Sequence, residues 1–541
     1  MTLDFARSRP IEPGANRRGD QADTTWLFLL PSLELREAVI VGPAPAGTVT
    51  ALRGLADVAV APDERRPPGP RVGLVYVGAR RVAALARDES ARAWLAEVLA
   101  AGGSAYLAPG RRQSMAAPAR LARLLGVDAC VTVGAGPAGA EDAVGEAGAW
   151  LIPATAVAPS RLAPRAGAAI RAARRLALRV ARRGGVGAPG RVSEPETALG
   201  IERTGDLPAR LAPGTGILLR PPPADGRSLP EYLQRAAESQ GAGFAPTGWR
   251  LAPPRGYRSQ KVIFFTRLAT GQPAVVKLTQ EPRFNPLLEN ESAALERLAD
   301  VPLGRALAVP SLHFNTRHAG LAVVAQSALA GKAFVRVAAP SPEGEHAESV
   351  LRALRALALA TRRPSAGVTE ALLEIANRYR SVYGETGAPG DRLERRLRQL
   401  DALDAELPVV FMHGDATVYN VLVAPGPRIG LVDWENAEPE GMPLWDLFHF
   451  RHAHAVWTAE RGGMRYTPAR FISDFLGAPG GVVDSPSLAA ARHELGVPGE
   501  AMQPLMCAWL AWCAVREARQ LDPARLENGF HHRVLATALR G

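Results

Sequence analysis

VVFMHGDATVYNVLV, residues 409–423, sets a polar octet between two apolar runs. The flanks Val409–Met412 and Val421–Val423 read as buried strands. His413, Asp415 and Asn420 then fall on the loop between them, and a loop with rigid flanks is a usual place for reactive groups. A third apolar run, Ile429–Val432, ends at Asp433. Two strands would therefore deliver Asp415, Asn420 and Asp433 to one rim.

That set is what phosphoryl transfer needs. One carboxylate must orient, or take a proton from, an attacking hydroxyl. A carboxylate and an amide oxygen suit hard Mg²⁺, which keeps waters and phosphate oxygens in its other positions. A cation must also meet the nucleotide phosphates. Upstream, KVIFFTR (261–267) and PAVVKL (273–278) flank the turn Ala269-Thr270-Gly271 and read as a hairpin. Lys277 lies inside the second strand, where an ammonium is costly unless paired. Glu291, in a helix expected over Pro286–Leu298, is the natural partner. A small β-rich lobe over 241–330 followed by a helical lobe over 331–541 is the implied order.

This half of the chain, from about 245 to 541, resembles the aminoglycoside phosphotransferase and choline kinase family, a branch of the protein-kinase-like fold. The likeness is carried by HGDATVYN (413–420), LVDWE (431–435), GMPLWDL (441–447) and the Glu-bearing helix ESAALERL (291–298). It implies an α+β bilobal domain that uses ATP and Mg²⁺ on a hydroxyl of a sugar, amino sugar or amino alcohol. By position, Asp415 would be the base, His413 a brace of its loop, and Asn420 and Asp433 the metal ligands. Lys277 would hold the α- and β-phosphates and Glu291 would fix Lys277. Adenine would meet the strand Val323–Gly331 near Ser327 and Leu329. Asp446 would support the loop near His413. Glu435 and Glu438 are candidates for a cationic substrate. No G-x-G-x-x-G precedes Lys277; the stretch 254–260 offers Gly256, Ser259 and Gln260 for the phosphates instead. His449, His452 and His454 are closely spaced, but no Cys or Glu completes a zinc set around them.

The first 240 residues read differently. Residues 1–25 are a tail. Over 26–160 the runs Ala38–Gly42, Val58–Ala61, Val72–Val77 and Ser104–Leu107 alternate with helical spacing at Thr48–Leu55 and Arg80–Ala101. Cys130–Val133 and Trp150–Ile152 would close the sheet. This alternation predicts a parallel, Rossmann-like α/β domain. It weakly resembles a SAM-dependent methyltransferase domain, and its proline-filled turn Gly42–Gly47 points to a degenerate, non-catalytic version. Residues 161–240 read as a basic helix, 161–183, then a Gly/Pro-rich linker with short elements.

The bulk numbers constrain partners. Net charge is +11, and nine arginines with no acid fall between Arg161 and Arg191. That segment could touch an anionic membrane; no nucleic-acid motif accompanies it. The three cysteines make no disulfide or zinc spacing, and no secretory leader or spanning run is evident, so a cytoplasmic enzyme is expected. Oligomeric state is left open. Two alternatives stand beside the kinase reading: a nucleotide-binding pseudokinase with a regulatory or scaffold role, and a bifunctional protein with an N-terminal methyltransferase.

Overall fold

The computed structural model describes residues 25–61, 72–108 (without 79 and 86), 125, 128–132, 149–152, 216–220, 229–245, 249–251, 261–339, 341, 344–365, 367–384, 388–426, 428–476, 485–519 and 521–540. The basic segment 161–183 and the stretch with Ser259 and Gln260 lie outside the described residues. Contacts divide the chain into two compact units. One is Arg17–Pro282 with Thr316–Ala325; the other is Arg283–Asn315 with Gln326–Gly541.

The first unit carries a seven-stranded sheet. Its strands are β1 (Glu37–Val41), β2 (Asp57–Ala61), β3 (Val72–Val77), β4 (Ser104–Leu107), β5 (Asp128–Thr132), β6 (Ala149–Ile152) and β7 (Gly216–Arg220), in the order β2-β1-β3-β4-β7-β5-β6. Strands β1 to β4 are mutually parallel, as apolar runs separated by helices predict. The rest departs from that expectation. β7 runs antiparallel to both β4 and β5, and β5 is antiparallel to β6. The sheet is therefore mixed, and a Rossmann-like domain is not established. β7 comes from the stretch read as linker with short elements; GILLR (216–220) is a continuous apolar run short enough to be hidden by its Gly- and Pro-rich flanks.

The methyltransferase resemblance finds no support here. In doubly wound sheets a cofactor enters where strand order reverses, here between the ends of β1 and β3. A Cβ added to Gly78 would lie 2.6 Å from the Pro43 carbonyl oxygen, and one on Gly42 (φ +84°) 2.8 Å from Arg81 Cγ. The turns after β1 and β3 thus touch, leaving no room between them for even a methyl group. The expected long helix is also two, Val82–Leu85 and Glu89–Ala100. Asp88 starts the second by accepting a hydrogen bond from the Ala91 N–H.

Apolar Trp26–Leu30 is buried in this unit, and Trp26 stacks on Tyr106 at 3.7 Å. Tyr232, from the helix Glu231–Glu238, donates its hydroxyl to the Phe28 carbonyl at 2.8 Å and stacks on His318. A second sheet, ordered β12-β13-β10-β9-β8, lies mostly in the same unit, from β8 (Arg250–Leu251), β9 (Lys261–Arg267), β10 (Pro273–Thr279), β12 (Leu312–His318) and β13 (Leu321–Ser327). The β9–β10 hairpin pairs Ile263 with Lys277.

The second unit is mainly helical. Its core helix, Met502–Ala518, is apolar on every side and buried over Pro504 to Ala514, so that stretch packs on several neighbours at once. These include the helices Val368–Tyr383, Trp445–Arg461 and Phe530–Ala538. Two small sheets carry the loops. One joins β11 (Leu307–Ala308), β18 (Ile429–Leu431), β17 (Val421–Val423) and β14 (Lys332–Ala333). The other joins β15 (Arg363–Pro364), β16 (Pro408–Met412) and β19 (Glu438–Gly441). Among the described residues no helix is long and apolar enough to cross a membrane.

His454 is only 2% exposed, between Phe334, Phe450 and Trp457. Burial, helped by the charge of Arg451, lowers its pKa to about 4 from 6.5. Above pH 6.5 the ring is neutral in folded and unfolded chains. As pH falls from 6.5 toward 4, the unfolded chain takes a proton that the folded one refuses, so stability is lost in that window. Urea unfolding of His454→Phe should therefore show a shallower loss between pH 7 and 4 than the parent, by at most about 3 kcal/mol. Parallel losses would contradict this.

Candidate active site

The loop between β16 and β17 is fixed by its own backbone. The buried Asp446 carboxylate accepts the His413 N–H at 2.6 Å and the Gly414 N–H at 3.0 Å. Burial pushes this carboxyl up, and the two backbone donors only partly offset that. Gly414 sits at φ +76°, and an added Cβ would lie 1.9 Å from the Asn436 carbonyl oxygen. Only glycine fits there. Arg516 closes the other side, donating from Nη1 to the Gly414 carbonyl at 2.7 Å.

His413 is wholly buried and uses both ring nitrogens. Nδ1 accepts the Asp415 N–H at 3.2 Å, which leaves the proton on Nε2, 3.0 Å from the Val432 carbonyl. The ring so ties the loop to the chain just before Asp433. It packs on Trp434, whose backbone N–H donates to Glu291 Oε1 at 3.4 Å.

Asp415 and Asn420 meet directly. Asn420 Nδ2 donates to Asp415 Oδ2 and to the Asp415 carbonyl, both at 3.0 Å. With its amide nitrogen so used, Asn420 can turn only its Oδ1 to a cation. The Val432 N–H donates to the Asn420 carbonyl at 3.1 Å and Val421 pairs with Leu431, so the backbone brings Asp433 alongside Asn420. Asp433 itself is left-handed, at φ +67°, a strained state for a non-glycine residue. An amide oxygen and a carboxylate on adjacent strand ends fit a hard divalent cation completed by waters and phosphate. The Asp415 side chain is 34% exposed, and His449 Nε2 stands 3.4 Å from its Oδ1. Burial pushes the Asp415 carboxyl up, but the hydrogen bond and charge of His449 and the charge of Arg516 outweigh it, so it lies below the usual range.

The other expected positions are placed less uniformly. Lys277 is 2% exposed within β10, in the first unit, and Glu291 is fully buried in the helix Asn285–Leu298 of the second. Ser327 spends its N–H on the Ser311 carbonyl and its Oγ on the Ser311 N–H, each at 2.9 Å. Its N–H and hydroxyl oxygen are thus both engaged by the Ser311 backbone. Leu329 packs near Gly430. Glu438 lines a groove of about 780 Å³ with Asn290, Arg297, Arg363 and Phe411. The Glu435 main chain is held by Asn290, whose Nδ2 donates to the carbonyls of Glu435 and Ala437 at 3.1 and 3.0 Å.

The family model described as "Phosphotransferase enzyme family" matches residues 251–489. This part of the chain is a phosphotransferase-family domain. The HGDATVYN and LVDWE motifs lie inside the matched residues. No curated protein matches the chain. Among solved structures, a macrolide 2'-phosphotransferase from Brachybacterium faecium is similar at 19% identity, covering 57% of this chain and 97% of its own, with a TM-score of 0.32. A putative fructosamine-3-kinase from Thermobifida fusca is similar at 19% identity over 57% and 98%, TM-score 0.35. A choline kinase from Streptococcus pneumoniae is similar at 14% identity over 54% and 92%, TM-score 0.33.

Three residues around the candidate site escaped the sequence reading. Arg516 lies about a hundred positions beyond the loop it grips, and no local pattern announces it. Asn290 is one residue before the glutamate that drew attention. His449 was read only against zinc; its spacing of three from Asp446 puts both on one helix face, which was the available signal. A substitution tests the loop geometry. Gly414→Ala should cost at least about 3 kcal/mol in urea unfolding, through the positive φ and the Asn436 clash. Gly426→Ala, at φ +88° with open space around it, should cost only about 1 kcal/mol. Equal small losses would contradict the packing described.

Proposed function

We propose that this chain transfers the γ-phosphoryl group of ATP, with Mg²⁺, to a hydroxyl of a small molecule such as a sugar, amino sugar or amino alcohol. The carrying observation is the Asp415 carboxylate: held at Oδ2 by Asn420, one-third exposed, and kept ionised by its surroundings. An ionised carboxylate on a fixed loop can accept the hydrogen bond of an incoming hydroxyl and take its proton as the bond to phosphorus forms.

The neighbouring residues have complementary work. Asn420 Oδ1 and Asp433 would hold Mg²⁺, which when bound neutralises charge on the phosphate oxygens. Asn420 also orients Asp415 through its amide nitrogen, so one side chain couples the metal position to the base position. Lys277 would meet the α- and β-phosphates. His413 and Asp446 keep the loop from relaxing, which matters because positioning supplies most of the catalysis in phosphoryl transfer.

Turnover of γ-labelled ATP across a panel of sugars, amino sugars and amino alcohols tests this reading. At least one acceptor should become labelled in a Mg²⁺-dependent manner. Asp415→Ala should lower transfer by at least about 10²-fold while ATP affinity stays within a few-fold. Undiminished transfer in that variant would refute the assignment.

A further inference from the structure

We infer that His449 is a positioning residue for Asp415; the inference rests on Asp415 being the base. Asp446 lies in the first turn of the helix Trp445–Arg461, and His449 one turn on along the same face. One helix therefore grips the loop twice: Asp446 holds its backbone, and His449 faces its carboxylate. Asn420 Nδ2 meets Asp415 Oδ2 at 3.0 Å, and His449 Nε2 meets Oδ1 at 3.4 Å. Each carboxylate oxygen thus has its own nitrogen partner. The second contact is long, as contacts to catalytic groups often are before substrate closes the site.

The ring environment fixes which nitrogen donates. His449 Nδ1 is buried without a hydrogen-bond partner. The ring lies edge-on between Trp509 and Trp512, with centroids 6.3 Å away in both cases. A lone proton on Nδ1 would be a buried N–H with no acceptor, at a cost of about 1–3 kcal/mol, so Nε2 carries a proton in either charge state of the ring, and Asp415 accepts it. Trp512 in turn lies under the Arg516 guanidinium at 4.3 Å, and Arg516 holds the Gly414 carbonyl. The support of His449 therefore closes back on the loop that it orients. With Oδ2 engaged by Asn420, Oδ1 is the oxygen that a substrate hydroxyl would approach. His449 sets its direction by limiting rotation of the carboxylate.

The test uses the full chain with Mg·ATP, reading ADP release to water by a coupled assay and ATP affinity by calorimetry. His449→Phe fills the space between the tryptophans but cannot donate. It should fold like the parent, keep ATP affinity within about twofold, and lower kcat about tenfold or more, the worth of a hydrogen bond to a charged group. His449→Gln, which can again present an N–H to Oδ1, should recover most of that loss. A merely structural ring would give the opposite order, with Phe active and Gln impaired, and that result overturns the inference. If Asp415→Ala is inactive while His449→Phe has parental kcat, only the role of His449 falls. If Asp415→Ala still releases ADP at the parental rate, the reading of Asp415 fails and this inference falls with it.

Discussion

Two hydrogen bonds from the backbone of one loop to one buried carboxylate hold the candidate site together. Asp446 takes the N–H groups of His413 and Gly414. Both would otherwise be buried donors without partners, each costing about 1–3 kcal/mol. The carboxylate is itself out of water, so either half of the arrangement is unfavourable alone. Together they force a sharp turn that only Gly414 can make. Everything downstream depends on that turn: His413 swings under the loop to reach Val432, and Asp415 emerges with its side chain partly in solvent.

From this anchor the polar groups form a closed circuit. His413 ties the loop to the strand that ends in Asp433, and the Asn420 carbonyl receives the Val432 N–H from the same strand. Arg516, stacked on Trp512, holds the loop from the end of the helix Met502–Ala518. The candidate groups are thus borne by short strands and two helices that pack through aromatic side chains. Burial fixes the loop, and the Asp415 side chain keeps about a third of its surface in solvent.

Much of this was legible in the sequence because it is local. Apolar runs of three to five residues around HGDATVYN gave β16, β17 and β18, and Asp446 could be suspected from GMPLWDL. What the sequence hid was mostly non-local. Arg516 acts across about a hundred residues, and its partner is a backbone carbonyl, which carries no residue-type signal. The pairing of the Ser327 N–H with the Ser311 carbonyl was equally hidden, because backbone pairing is decided by register and not by side-chain type. In the first half, periodicity located the strands but not their direction: an apolar run buried on both faces looks the same in parallel and antiparallel company. GILLR entered the sheet from a Gly- and Pro-rich stretch for the same reason.

The central claim is that this braced loop and the end of β18 form one metal–nucleotide centre. Water-proton relaxation with Mn²⁺ and ATP reads that centre without knowledge of the acceptor. The full chain should enhance relaxation of Mn·ATP in a saturable way, and Asn420→Ala combined with Asp433→Ala should abolish the enhancement while the fold persists by circular dichroism. An unchanged enhancement in that variant would contradict the account.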